Sequence, residues 1–201
     1  MTRRIHPIER ESYEILRSRV ATGHLPRWTR AVTERVIHSG ADVSYAGDLV
    51  CDEEVLAAGA VALASGAPLV VDAEMVGAGI TTYPSMCLVR DPAAAELAAR
   101  TGDTRSAAAF RLAAERVGPG AVWVVGNAPT ALFALLELDV APALVVGLPV
   151  GFVGSVESKE ALRASGLPAL TNRSEKGGSA VAAAAVNALL YGPNPPSEES
   201  T

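Results

Sequence analysis

His38 closes an apolar helical run, Ala31-Val32-Thr33-Glu34-Arg35-Val36-Ile37, and is followed by Ser39-Gly40. A helix carboxyl terminus favours a protonated imidazole by a few tenths to about 2 kcal/mol, which moves its pKa toward the range where a general acid works. A histidine that simply caps its own helix sits in the same place, so position alone leaves both roles open. Arg35 lies three residues earlier and shares a helix face with His38. It suits either the carboxylate of a ligand on which His38 acts or a plain solvent-facing surface. His6 near the start and His24 before Pro26 fall in segments that solvent should reach.

Four other places put a donor at or near an expected helix amino terminus: Arg105-Ser106, Asn127 with Thr130, Ser155 with Ser158, and Lys176-Gly177-Gly178-Ser179. Free backbone N–H groups and the helix dipole make such ends attractive to anions. One alone is an ordinary N-cap, whereas a series at one sheet edge suits a ligand with several negative groups. The loop from Gly77 to Tyr83 adds backbone N–H groups and the hydroxyls of Thr81 and Thr82. Asp72 and Glu74 form an acid pair at a strand end, but no histidine or cysteine clusters with them, so no metal site is expected. The chain carries no GxGxxG, no GxxxxGK[ST] and no GxSxG. Dinucleotide, Walker-type nucleotide and serine-elbow chemistry are therefore disfavoured, and the expected guest is richer in carboxylates than in phosphates.

The elements that must position these groups are clearest between Val122 and Leu162. VWVV runs into GNAPT and a helical pattern, and about twenty residues later ALVVGLPVG runs into SVESKEAL. Two adjacent strand–turn–helix units imply a parallel sheet with its loops at the strands' carboxyl ends. Before them, residues 7–21 place Ile8, Tyr13, Ile15, Leu16 and Val20 on a roughly helical face, with Pro7 in the first turn. Residues 26–38 form a second helix with Trp28, Ala31, Val32 and Val36 inward, ending near Gly40 in a left-handed C′ position. Asp52 should cap the helix EEVLAAGAVALASG, which Gly66 closes. APLVVDAEM reads as a buried strand, VGAGITTYP as a loop, SMCLVRD as the next strand, and Thr104 as the cap of a helix reaching Ala114. ALTNRS is a short last strand and KGGSAVAAAAVNALLY a Gly-initiated, nearly all-apolar helix. The expected fold is α/β, a single three-layer αβα domain with a mainly parallel sheet of about five strands, preceded by N-terminal helices. The domain should span 1–191, with 192–201 as a disordered tail.

The 201 residues suit one domain with a substantial core, and an aromatic content of only 4% points to Ala/Val/Leu packing. A formal charge of −5 gives no general attraction to nucleic acid or to an anionic membrane. Cys51 and Cys87 are far apart and in no metal-binding spacing, as in a reduced, cytoplasmic protein. The start, MTRRIHPIERES, has no apolar core of a secretory signal, and Gly or Pro interrupts every apolar run short of a membrane span.

Taken in order, ERVIHS, PLVVDAEMVGAGI, LVRDP, GDTRSAAAF, VVGNAPTALFALLE, GLPVGFVGSVESKEAL and KGGSAVAAAAVNALL resemble the precorrin-8X methylmutase (precorrin isomerase) family of cobalamin biosynthesis. The likeness runs from about Ile8 to Leu190. It implies an isomerase that moves a methyl group between neighbouring ring carbons of a corrinoid precursor, a [1,5]-sigmatropic shift, without organic cofactor or protein-bound metal. It implies His38 as proton donor and acceptor, with Arg35 and Ser12 as substrate contacts. Thr81, Arg105, Asn127, Thr130, Ser158 and Lys176 would hold the acetate and propionate arms of a tetrapyrrole. It also implies a homodimer with sites near subunit boundaries. A non-catalytic corrinoid carrier is the competing reading, and a generic nucleotide-binding α/β domain a third.

Overall fold

The computed structural model describes residues 6–193. Two helices come first, α1 (Pro7–Arg19) and α2 (Arg27–Gly40), then a short α3 (Tyr45–Asp48), the edge strand β1 (Leu49–Cys51) and α4 (Glu53–Ala64). The rest alternates: β2 (Leu69–Val71), α5 (Glu74–Gly79), α6 (Pro92–Thr101), α7 (Arg105–Val117), β3 (Val122–Val125), α8 (Pro129–Leu136), β4 (Leu144–Gly147), α9 (Ser155–Ala164), β5 (Ala169–Asn172) and α10 (Ser179–Tyr191). No helix among the described residues is long and apolar enough to cross a membrane. Residues 194–201, most of the expected tail, lie outside the described residues.

The five strands lie in the order β1-β5-β4-β3-β2; β2 to β5 run parallel and β1 pairs antiparallel with β5. The parallel strands thus follow one another across the sheet in chain order. Right-handed crossovers between them send α7, α8 and α9 to a single face, where Phe110, Leu132, Leu135 and Leu162 pack on Val70, Trp123, Val125 and Val145. The alternate residues Leu69, Val71, Val122, Val124, Leu144 and Val146 point the other way, onto a cover made from α2, α4 and α10. A sheet buried on both faces needs continuous apolar strands, which is why VWVV and LVVG show no polar alternation. Because no strand order reverses among the parallel strands, no crevice opens between crossovers that leave to opposite faces. A site has to be built beside the sheet rather than in its middle.

Several expectations shift. The stretch expected as the loop VGAGITTYP begins with helix: only two residues, Asp72 and Ala73, separate β2 from α5. SMCLVRD is not a strand; only Met86 bridges β2, at Val70. A turn from Leu88 to Asp91, whose carboxylate caps α6, leaves too little extended chain for a ladder. The strand β1 fills out the five instead. The second helix runs through Gly40, and the left-handed residue beyond it is Ala41, with φ 51°. The caps Asp52 and Thr104 stand where expected, each accepting backbone N–H bonds from the first turn of its helix.

Candidate active site

His38 sits in the last turn of α2, half-buried against α1. The two helices cross where α1 presents Ser12 and Tyr13. The Ser12 hydroxyl lies 2.8 Å from Nδ1 of His38, and the Tyr13 ring stacks on the imidazole with centroids 5.0 Å apart and planes 11° apart. A shallow cleft opens beside this pair, with Ile15, Ile37 and Val43 as apolar wall and Arg19 at its rim. Arg35 stands close by, but its guanidinium pairs with Glu9 at 3.2 Å and lies over the rings of Tyr13 and Tyr191. That arrangement braces Tyr13 behind His38, and a substrate carboxylate would have to compete with Glu9 for it. The amino terminus of α2 is satisfied from α4: the Glu53 carboxylate accepts from the N–H groups of Trp28 and Thr29, each at 2.9 Å.

The expected anion site at Gly126-Asn127-Ala128 is already occupied by the chain itself. Asp72, fully buried at the end of β2, accepts hydrogen bonds from the N–H groups of Gly126 (2.9 Å), Asn127 (2.8 Å) and Ala128 (2.7 Å). Burial pushes its carboxyl pKa up, and those three bonds oppose the shift. Asp72 and Glu74 therefore do not act as a pair, since Glu74 turns outward to Arg90 at 2.9 Å. The side chains around Asp72 do face solvent together. Thr104 and Thr130 share a hydrogen bond of 2.7 Å, Asn127 is exposed, and Arg105 is exposed at the first turn of α7 with no partner among the described residues. Thr81 is exposed just beyond α5, while Tyr83 donates its hydroxyl proton to the Ala67 carbonyl.

The third group gathers on the loop between β5 and α10. Ser155 and Ser158 are fully buried, and their hydroxyls donate to the carbonyls of Pro149 and Ser155. Ser158 thus corrects the expectation of a ligand-facing donor. The next residue, Lys159, is also buried and donates to the carbonyls of Ser174 (2.7 Å) and Lys176 (2.6 Å). Burial pulls its pKa down to about 8. From the opposite side Asp48 accepts from the N–H groups of Arg173 and Ser174, the Ser174 hydroxyl and the Asn172 amide. Lys176 reaches Asp42 at 2.7 Å and Ser44 at 2.5 Å, in the turn that follows α2. This contact ties the β5–α10 loop to the segment that leaves His38.

A family model, CbiC, precorrin-8X methylmutase, matches residues 7–192. The chain belongs to the precorrin-8X methylmutase family. The cobalt-precorrin-8 methylmutase of Methanothermobacter thermautotrophicus is 41% identical over 191 residues, covering 92% of each chain. The precorrin-8X methylmutase of Pseudomonas aeruginosa is 43% identical, covering 90% of this chain and 93% of that one. The solved structure of precorrin-8X methylmutase from Thermus thermophilus superposes with a TM-score of 0.84 at 34% identity, covering 91% of this chain and 93% of that one. Membership makes this methylmutase-family chain an isomerase.

Within that family frame, the structure brings Ser12, Arg35 and His38 together, and gathers Arg105, Asn127 and Thr130 around Asp72 at the sheet's carboxyl edge. It places Lys176 against Asp42, in the turn between Ala41 and Val43 of the His38 cleft wall, with its ammonium already paired. Sequence reasoning missed Tyr13 as the ring behind the imidazole, Glu34 as a buried carboxylate, and Lys159 as a loop anchor. For Lys159 the signal was present: Ser155, Ser158, Lys159 and Leu162 follow the i, i+3, i+4, i+7 spacing of an inward helix face.

Proposed function

We propose that this isomerase carries out the [1,5]-sigmatropic methyl shift that converts precorrin-8X to hydrogenobyrinate, or the cobalt-bearing precursor to cobyrinate, with His38 as proton donor and acceptor. Family membership supports the reaction class. The observation that carries the residue assignment is the Ser12–His38 contact beside an apolar-walled cleft.

A methyl migration around a conjugated ring needs the π-system in the right tautomer and the developing charge stabilised. The Ser12 contact at Nδ1 fixes the orientation in which the imidazole exchanges its proton with the substrate. The imidazolium gives a proton to the macrocycle, the methyl group moves to the neighbouring carbon, and the proton returns to the ring nitrogen. The isomerisation balances without an added reagent, and acid assistance of this kind is typically worth roughly 10²–10⁴-fold. Tyr13 holds the ring plane from behind, and Arg35 holds Tyr13.

The substrate's carboxylates are assigned to Arg105, Asn127, Thr130 and Thr81, whose side chains remain exposed after Asp72 has taken the backbone donors. A homodimer in the cytoplasm completes the reading. Phe152 and Val153, 94% and 89% exposed on the loop between β4 and α9, are the kind of apolar surface that a second copy covers.

The test is direct. Purified protein is mixed with excess precorrin-8X and, in parallel, with its cobalt counterpart, and the absorption spectrum is followed. Conversion of one of them in repeated turnovers is the expected result. A bound tetrapyrrole whose spectrum stays that of the substrate identifies a carrier and overturns the assignment.

A further inference from the structure

Glu34 lies on α2 one helical turn before His38, among residues that face the core, and it is 1% exposed. Its carboxylate takes hydrogen bonds from Arg17 Nε (3.1 Å) and Nη2 (2.8 Å), Thr22 Oγ1 (2.5 Å) and Arg30 Nε (2.8 Å). A carboxylate buried among valines costs stability unless its lone pairs are filled, and here they are filled mainly from α1 and the turn that follows it. Arg17 does a second thing. Its guanidinium lies 5.5 Å above the Tyr13 ring, and the other side of the contact chain is the Tyr13–His38 stack. Glu34, Arg17, Tyr13 and His38 therefore form one continuous line of contacts from the buried face of α2, out to α1 and back to the imidazole.

The anchoring matters because α1 docks mainly through polar contacts, this one and the Arg35–Glu9 pair among them. It has 13 residues, only Tyr13 and Leu16 are buried in it, and a helix of that length is marginal alone in water. Two groups that touch the His38 ring, the Ser12 hydroxyl and the Tyr13 ring, ride on this helix. We infer that Glu34 is a positioning residue of the methylmutase site, which fixes α1 through Arg17 so that Ser12 and Tyr13 hold the His38 ring in its reactive orientation. The inference rests on the role proposed above for His38.

The expected effect of Glu34→Gln is a fall in kcat of about ten- to a hundredfold, with KM changed far less, because a displaced proton donor costs rate before it costs binding. Glu34→Asp, which can still accept from Arg17, recovers part of the loss. In the Ser12→Ala background Glu34→Gln costs less than it does in the wild type, since one of the two contacts it serves is already gone. Arg17→Gln is the second variant: it cuts the line to α1 while leaving Glu34 its bonds from Thr22 and Arg30, and a thermal melt reports whether the fold is kept. An independent readout is the Nδ1 signal of His38 in ¹⁵N-histidine-labelled protein, assigned with His38→Gln. It should lose its hydrogen-bonded position in both the Glu34→Gln and Arg17→Gln variants.

Wild-type kcat together with an unmoved Nδ1 signal in folded Arg17→Gln overturns the inference. So do losses from Glu34→Gln and Ser12→Ala that simply multiply. If the wild-type protein turns over no tetrapyrrole, the functional reading fails instead, and the Nδ1 signal alone still decides the positioning claim.

Discussion

Ser12 Oγ and His38 Nδ1, 2.8 Å apart, belong to two different helices, so the orientation of the imidazole depends on how α1 docks on α2. A histidine at a helix end has two ring nitrogens to manage. Engaging one with a hydroxyl on a neighbouring helix restricts how the ring can turn.

Removing that hydroxyl should therefore slow the chemistry without unfolding the protein. Ser12→Ala is expected to lower kcat about tenfold, the equivalent of one orienting hydrogen bond of roughly 1–1.5 kcal/mol. Its Tm should stay close to that of the wild type. Turnover kinetics beside a thermal melt checks both, and an unchanged kcat removes Ser12 from the site.

Arg105 is an exposed cation at the sheet's carboxyl edge, without a partner among the described residues. If it grips a substrate carboxylate in ground state and transition state alike, Arg105→Gln raises KM about five- to tenfold and leaves kcat alone. The penalty should shrink at high salt. A KM equal to wild type at low ionic strength assigns the arginine to solvent.

Lys159 gives a pH signature. Its pKa is about 8 in the folded protein against an ordinary 10.5, because burial disfavours the ammonium. Between those values the unfolded chain binds more protons than the folded one, so stability contributed at this residue rises with pH through that window. The full rise is on the order of 3 kcal/mol. Urea denaturation at pH 7.5 and pH 10 should show the rise in wild type and lack it in Lys159→Met. Parallel curves for the two proteins contradict it.

Gly177 tests the loop that Lys159 and Asp48 hold. At φ +155°, a Cβ there would lie 2.2 Å from the Leu148 carbonyl oxygen, against rigid backbone. Gly177→Ala should cost several kcal/mol in denaturant unfolding. A loss under about 0.5 kcal/mol means the loop has another way to lie.

The parallel sheet was legible because VWVV and LVVG are buried on both faces and each runs straight into a turn and a helix. Local signals such as the caps Asp52 and Thr104 were legible for the same reason: donor and acceptor are neighbours in sequence. Asp72 was not, because its partners lie 54 to 56 residues away, and only the finished sheet brings them together. What reads as an empty anion site at Gly126-Asn127 is, once folded, filled from the adjacent strand. Ser158 was misread and Lys159 missed for a different reason. Polar side chains on an inward helix face look like surface until loop carbonyls come to meet them. For His38 position alone left a cap and an acid both open, the resemblance implied the acid, and only the folded chain shows the Ser12 hydroxyl and the Tyr13 ring, from a separate helix, against its imidazole.

In the proposed reaction His38 moves the proton. Single-turnover conversion of precorrin-8X by His38→Ala, followed by absorption with tetrapyrrole binding measured on the same sample, tests it most directly. Turnover should fall by at least about a hundredfold with binding retained. Turnover near the wild-type rate in that variant would contradict it.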